Sequence, residues 1–180
     1  NICNGVTSAD SATTLKAYDA ILEIASVDGI RVLPYAEFSL GAGRVDLREG
    51  EILTGIRIKK ESYENTFGKY IKYSMRKAMD IATLGCSVNV RLSKDKSKID
   101  RVRISFGVAG PVPLRATSAE AKLKGLDITP ELLETAAQAV MEDVNPRNSW
   151  RASKDFRIQL IKELTRRALK SSVEQAGGKF

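Results

Sequence analysis

The run TLGCSVNVRL, Thr83–Leu92, constrains this chain more than any other stretch. Leu84, Cys86, Val88, Val90 and Leu92 fall on one side of an extended backbone, and Gly85, Ser87, Asn89 and Arg91 on the other. That is the period-2 pattern of a half-buried strand. A charged turn, Ser93–Lys98, leads to a return strand with Val102, Ile104, Phe106 and Val108 on one face. Gly110-Pro-Val-Pro113 breaks it. An earlier strand is expected near Tyr70–Tyr73. A sheet with one apolar face must be covered, and the sequence that follows supplies three helices.

Thr117-Ser-Ala-Glu120 has the capping-box pattern, so a short helix is expected from there to Lys124, stopped at Gly125. Thr129-Pro130 supplies an N-cap and a proline at the first helical position. The helix behind it presents Leu132, Leu133, Ala136, Val140 and Met141 at three- and four-residue spacing. Ser153 caps the last helix, with Phe156, Leu160, Ile161, Leu164, Ala168 and Val173 on its apolar face.

Upstream lies a second small unit. Ser8 or Asp10 is placed to cap a short helix running to about Ala17, and Ala9 and Ala12 allow close packing. Ala20–Ile24 and Ile30–Leu33 read as a hairpin turned at Val27-Asp-Gly29. Tyr35–Leu40 is expected to form one helical turn. Ile52, Thr54, Ile56 and Ile58 alternate as a strand. Lys59–Phe67, polar and aperiodic, is expected to link the two units. Strands come first in each unit and helices last, so the class is α+β, with units at 1–60 and 67–180.

Composition removes whole classes of chemistry. The 180 residues include no His, which rules out Ser-His-Asp and Cys-His catalysis and His-based zinc sites within the chain. Cys3 and Cys86 are too few for a disulfide framework and fit a reducing compartment such as the cytoplasm. No apolar run approaches the ~20 residues of a membrane helix. The net charge is +7, but the basic residues are spread and do not interleave with aromatics, so nucleic acid is not the expected partner. Any catalysis must use carboxylates, Lys, Tyr or a borrowed cofactor.

Three clusters admit a functional reading beside a structural one. Asn1, Asn4, Gly5, Ser8 and Asp10 gather at a helix start, either a phosphate or polar-ring cradle or simply a turn and an N-cap. Lys72, Arg76 and Asp80 are four residues apart: a ladder on a helix, a convergent set on a bent strand, or a surface ion pair. Asn145–Arg151 holds the only Trp between two Arg. It reads as a stacking platform or as a loop anchored by a buried indole with Arg147 and Arg151 on its faces.

Five segments in order, NICNGVTSADSA, GEIL at Gly50–Leu53, KYSMRKAMDIATLGCSVNVRL, RISFGVAGPVPLRA and SWRASKDFRIQLIKEL, resemble the FAD-binding (medium) subunit of bacterial xanthine dehydrogenases and other molybdenum hydroxylases. The likeness covers nearly the whole chain. It implies that residues 1–60 form the second lobe of a two-lobed FAD-binding domain. Residues 67–180 would form a C-terminal domain, a three-stranded antiparallel sheet packed on a three-helix bundle. It implies an electron-transfer role: FAD receives electrons from an iron–sulfur subunit and passes them to NAD or another acceptor, while a molybdenum subunit performs the hydroxylation. The alternative is a module that docks partner subunits without a cofactor.

The same resemblance implies roles for individual residues. Asn1 matches the Asn that closes a Gly-Gly-Asn flavin-phosphate turn, and Asp10 an acidic FAD contact. Leu53 matches an apolar flavin contact, and Lys72 the Lys at the flavin's edge. Arg76 and Asp80 match a basic-x-x-x-Asp-Ile-Ala motif. The family's first lobe and the two glycines before Asn1 have no counterpart. The chain is therefore expected to be part of a longer polypeptide and, alone, to hold FAD weakly.

Overall fold

The computed structural model describes residues 1–180. In order the elements are α1 (Asp10–Ala17), β1 (Ile21–Ser26), β2 (Gly29–Pro34), α2 (Tyr35–Phe38), β3 (Ser39–Gly41), β4 (Arg44–Val45), β5 (Ile52–Arg57), α3 (Lys60–Tyr63), β6 (Phe67–Tyr73), β7 (Leu84–Leu92), β8 (Ile99–Gly107), β9 (Leu114–Arg115), α4 (Thr117–Leu123), α5 (Pro130–Ala139) and α6 (Lys154–Gln175). The α+β class expected from the order of strands and helices holds. The expected linker is structured: it contains the single turn α3, and Phe67 already belongs to β6.

The first unit is an antiparallel sheet in the order β2-β1-β5. Leu22 and Ile24 of β1 point inward onto Ala9, Ala12, Tyr35 and Phe38. The alternation expected for β5 fails at a bulge. Glu23 pairs with Gly55 and Ile24 with Leu53, which leaves Thr54 unpaired. Leu53 therefore turns toward the core, while Ile52 and Ile56 face solvent. Arg31 ties this sheet to the loop before β5 through Asp46 at 2.9 Å and Glu51 at 2.7 Å. The Arg31 guanidinium, with the Arg48 amide, holds the Glu51 carboxyl down at about 2.

The second unit is an antiparallel sheet in the order β6-β7-β8-β9. The three expected long strands gain a two-residue fourth, Leu114–Arg115. Its apolar face carries Leu84, Cys86, Val88, Val90, Val102, Ile104 and Phe106 against Leu123, Ala136, Ile161, Leu164 and Leu169 of the helices. The Ser153 cap of α6 is present: its hydroxyl accepts from the Phe156 amide at 3.2 Å. Phe156 itself is exposed and packs edge-on against Tyr73, ring centroids 5.8 Å apart. Arg157 occupies the buried position instead.

The capping box at α4 does not form. Ala116 is the N-cap and Thr117 makes no cap bond. The first turn is capped from elsewhere, by the Asp143 carboxylate accepting from the Ser118 and Ala119 amides at 3.1 Å. Glu120 is thereby free to accept from the Ile104 amide at 2.8 Å and to pair with Arg115.

The largest departure concerns β7. Half-burial was expected, yet every residue from Leu84 to Val90 is buried. The polar side of this strand is covered by α1 of the first unit. The register explains how. Gly85 lies opposite Gly107 and Ser87 opposite Ser105, so the two central strands offer a smooth groove of small residues. A Cβ on Gly107 would lie 2.6 Å from Thr13 Oγ1 and 3.0 Å from the Thr7 carbonyl. The sheet is thus a middle layer, with the bundle on one face and a helix of the other unit on its opposite face.

Gly107→Ala is expected to cost about 1–3 kcal/mol through overpacking, read as a lower thermal midpoint. Thr13→Ala in the same chain should recover part of the stability. In acid, Glu51 carries a sign that can be checked. Its carboxyl is depressed from 4.5 to about 2 by Arg31, so its contribution is present above the ordinary carboxylate range and is lost as pH falls toward 2. Glu51→Gln should flatten that part of the pH–stability curve.

Candidate functional site

Helix α1 brings two ends of the chain's chemistry together. Its first residue is Asp10, with Ala9 as N-cap and no side-chain cap bond. The Asp10 carboxylate is therefore not consumed by its own helix. It reaches across to β6, accepting from Tyr70 Oη at 2.6 Å and from Lys72 Nζ at 3.0 Å. Tyr70 pairs with Ser87 and Lys72 with Gly85, so both lie on the sheet face that α1 covers. Gly85 leaves room for the phenol: a Cβ there would lie 2.9 Å from Tyr70 Oη.

Burial first, and then the hydrogen bond to Asp10, raise the Tyr70 pKa well above its ordinary value. The phenol remains a donor at any physiological pH. The Lys72 ammonium has three N–H donors, and Asp10 is its only ion-pair partner. The result is a carboxylate with both oxygens engaged and a neighbouring cation with donor capacity to spare.

The turn before α1 is fixed by close packing. Gly5 has a φ of +58°, and a Cβ on it would lie 2.9 Å from the Arg44 amide. Its carbonyl accepts from the Gly43 amide at 3.0 Å. The C-terminal end of α1 is held by the second unit. Asn89 Nδ2 donates to the Ala17 carbonyl at 3.3 Å, and Arg115 to the Lys16 carbonyl at 3.3 Å. These take carbonyls that a helix end leaves without partners. Arg115 also pairs with Asp19, as does Arg103 at 3.1 Å.

Of the predicted residues, Asp10 and Lys72 are therefore in contact. Asn1 is exposed at the head of the Gly5 turn. Leu53 is half-buried against the core of the first unit. Neither makes a bond to the Asp10 cluster. Arg76 and Asp80 form neither a helical ladder nor part of the cluster. They close a loop: Asp80 accepts from the Arg76 amide at 2.7 Å and from the Ile81 amide at 2.9 Å. Those backbone bonds, the Arg76 amide foremost, hold the Asp80 carboxyl below its usual range. Tyr70 was missed by sequence reasoning; its place two residues before Lys72, on the same strand face, was the available signal.

Two further expectations resolve. Cys86 is buried, and burial pushes its thiol up to about 12, so it is an inert core residue. The buried-indole reading of Trp150 is overturned. Trp150 is 79% exposed, because the loop before α6 is anchored by Arg157 rather than by Trp150. Only Arg151 covers it, its guanidinium 4.1 Å from the ring centroid.

Comparison with known proteins follows the same division of the chain. Residues 69–172 match the family model described as CO dehydrogenase flavoprotein C-terminal domain, and residues 1–60 that described as FAD binding domain in molybdopterin dehydrogenase. The xanthine dehydrogenase FAD-binding subunit of Escherichia coli O157:H7 is 44% identical over 180 residues, all of this chain and 61% of that protein. The carbon monoxide dehydrogenase medium chain of Hydrogenophaga pseudoflava is 27% identical over 172 residues, 96% of this chain and 58% of that one. Among solved structures, the Hydrogenophaga pseudoflava carbon monoxide dehydrogenase lacking the Mo-pyranopterin moiety superposes with a TM-score of 0.87 at 28% identity, over 95% of this chain and 58% of that chain. The chain thus spans about three fifths of the length of the relatives it matches.

Asp10→Asn should lower the apparent pKa of Tyr70 in an alkaline titration followed by tyrosinate absorbance, since it removes the carboxylate that opposes ionisation. An unchanged titration would show that the hydrogen bond is not made in solution.

Proposed function

The chain belongs to the family of FAD-binding subunits of molybdenum hydroxylases, and on that premise we propose that it forms part of an electron-transfer site in which FAD is held where α1 meets β6. The observation that carries this reading is the convergence of Asp10, Tyr70 and Lys72 from both units of the fold. Bound FAD would supply the redox chemistry between an iron–sulfur partner subunit and NAD or another acceptor. A molybdenum-binding partner subunit would oxidise the substrate. The residues of this chain bind and orient.

The donor set suits a flavin. Asp10 offers carboxylate oxygens to ribityl hydroxyls, its orientation fixed by Tyr70. Lys72 offers unspent N–H donors to a ring edge, and its positive charge favours the reduced, more negative form of a flavin. Asn1 and the backbone of the Gly5 turn would face the phosphate end, and Leu53 would give an apolar contact. The Arg76–Asp80 loop lies in the connection from β6 to β7 that follows Lys72. The cytoplasm is the expected compartment for such a complex.

A second reading rests on a different observation. The outer face of the first sheet exposes Ile30, Val32 and Ile52, which favours a docking role for that face whether or not FAD is bound.

In the full-length subunit, flavin absorbance is expected after gentle purification. Asp10→Ala and Lys72→Ala should lower FAD occupancy or slow acceptor reduction, by roughly tenfold for each charge-assisted hydrogen bond removed. Tyr70→Phe should have a smaller effect in the same direction. A colourless subunit, or variants with unchanged occupancy and turnover, would favour the docking reading.

A further inference from the structure

The seam between the end of α1 and the second unit holds a positive charge with no negative partner. Two arginines there share two carboxylates. Asp19 pairs with Arg103 at 3.1 Å and with Arg115, and Glu120 pairs with Arg115 and with Arg103 at 3.6 Å. The remaining cation, Lys16, forms no ion pair. It is the only buried lysine of the chain. Its ammonium donates to the Ala36 carbonyl at 3.4 Å and lies 5.8 Å from the centroid of the Tyr35 ring. That long bond leaves donor capacity unused, and a desolvated cation without a counter-ion is costly. Burial first, and then the charge of Arg115, lower the Lys16 pKa. The group against which Lys16 is set is thus a second cation.

A cavity opens at this point. Its volume is about 60 Å³, and its walls include Lys16, Asp19, Pro34, Tyr35, Ala36 and Arg115. A water molecule takes up about 30 Å³ of liquid, so the space suits one small ion with a water and is too small for an organic ligand. Asp19 is the one carboxylate on the wall, and its charge is spent on Arg103 and Arg115. Pro34 and Ala36 make part of the lining apolar, which favours an ion that sheds its hydration readily over fluoride or a divalent oxyanion.

We propose that this cavity binds a small, weakly hydrated monovalent anion of the chloride class, held between the Lys16 ammonium and the Arg115 guanidinium. The ion neutralises the charge left over at the seam. Arg115 also donates to the Lys16 carbonyl at 3.3 Å, so the same ion touches the last turn of α1 and the strand that holds it. The assignment goes beyond the electron-transfer reading and uses neither Asp10 nor Lys72 nor a bound flavin.

The test uses the full-length subunit. Bromide shares the chemistry of chloride and has an anomalous X-ray signal. Crystals soaked in sodium bromide are expected to show an anomalous peak in this cavity. In solution, bound chloride broadens the chlorine-35 resonance. The excess width should saturate, and bromide should displace it where fluoride at equal concentration does not. Lys16→Met keeps an apolar stem and removes the charge. It should lose most of the excess width, and its thermal midpoint should gain less from added chloride than that of the wild type. Circular dichroism verifies the fold of the variant, and the bromide peak in the wild type decides the matter should the variant not fold. A cavity without bromide overturns the proposal. So does chloride broadening that Lys16→Met leaves unchanged, or that fluoride displaces equally well. Flavin absorbance in the same samples reports the electron-transfer reading separately.

Discussion

The seat of α1 on the β7–β8 ladder is the contact on which the rest depends. It joins two units that share no sheet, and it is made by subtraction. Gly85, Ser87, Ser105 and Gly107 withhold side chains, so a helix lined with Ala and Thr can lie close. Both ends of that helix are then tied down by the second unit. Tyr70 and Lys72 take the carboxylate at its start, and Asn89 and Arg115 take the carbonyls at its end. Close packing sets the distance and the polar ties set the rotation.

The elements were largely legible because their signals are local. Period-2 alternation placed β7 and β8, and Ser153 placed the start of α6. What the sequence withheld was non-local. The polar side of β7 carries Gly, Ser and Asn, and that composition fits water as well as it fits a polar helix pressed against it. The capping box failed because Asp143, distant in sequence, reached the same amides. The strand β5 is present, but a bulge at Thr54 resets its alternation, and a bulge leaves little trace in a six-residue strand.

The candidate site was half legible for the same reason. Asp10 and Lys72 entered through a family resemblance, and they proved to touch. Their shared partner Tyr70 entered only with the strand register. Asn1 and Leu53 stand apart from that cluster, at the turn and in the first core. Absence of His is consistent with this layout. The polar groups that converge are a carboxylate, a phenol and an ammonium drawn from both units.

The α1 seat also bears on how such a protein can change over time. A carboxylate from one unit and a phenol and an ammonium from the other meet only because glycines on a buried strand let a helix through. The two units are consequently not free modules. A chimera that took residues 1–60 from one relative and 67–180 from another would transplant half of a socket. Unless the small residues of the strands and the Ala and Thr of the helix were inherited together, the joined chain would keep its sheets and lose the meeting point between them.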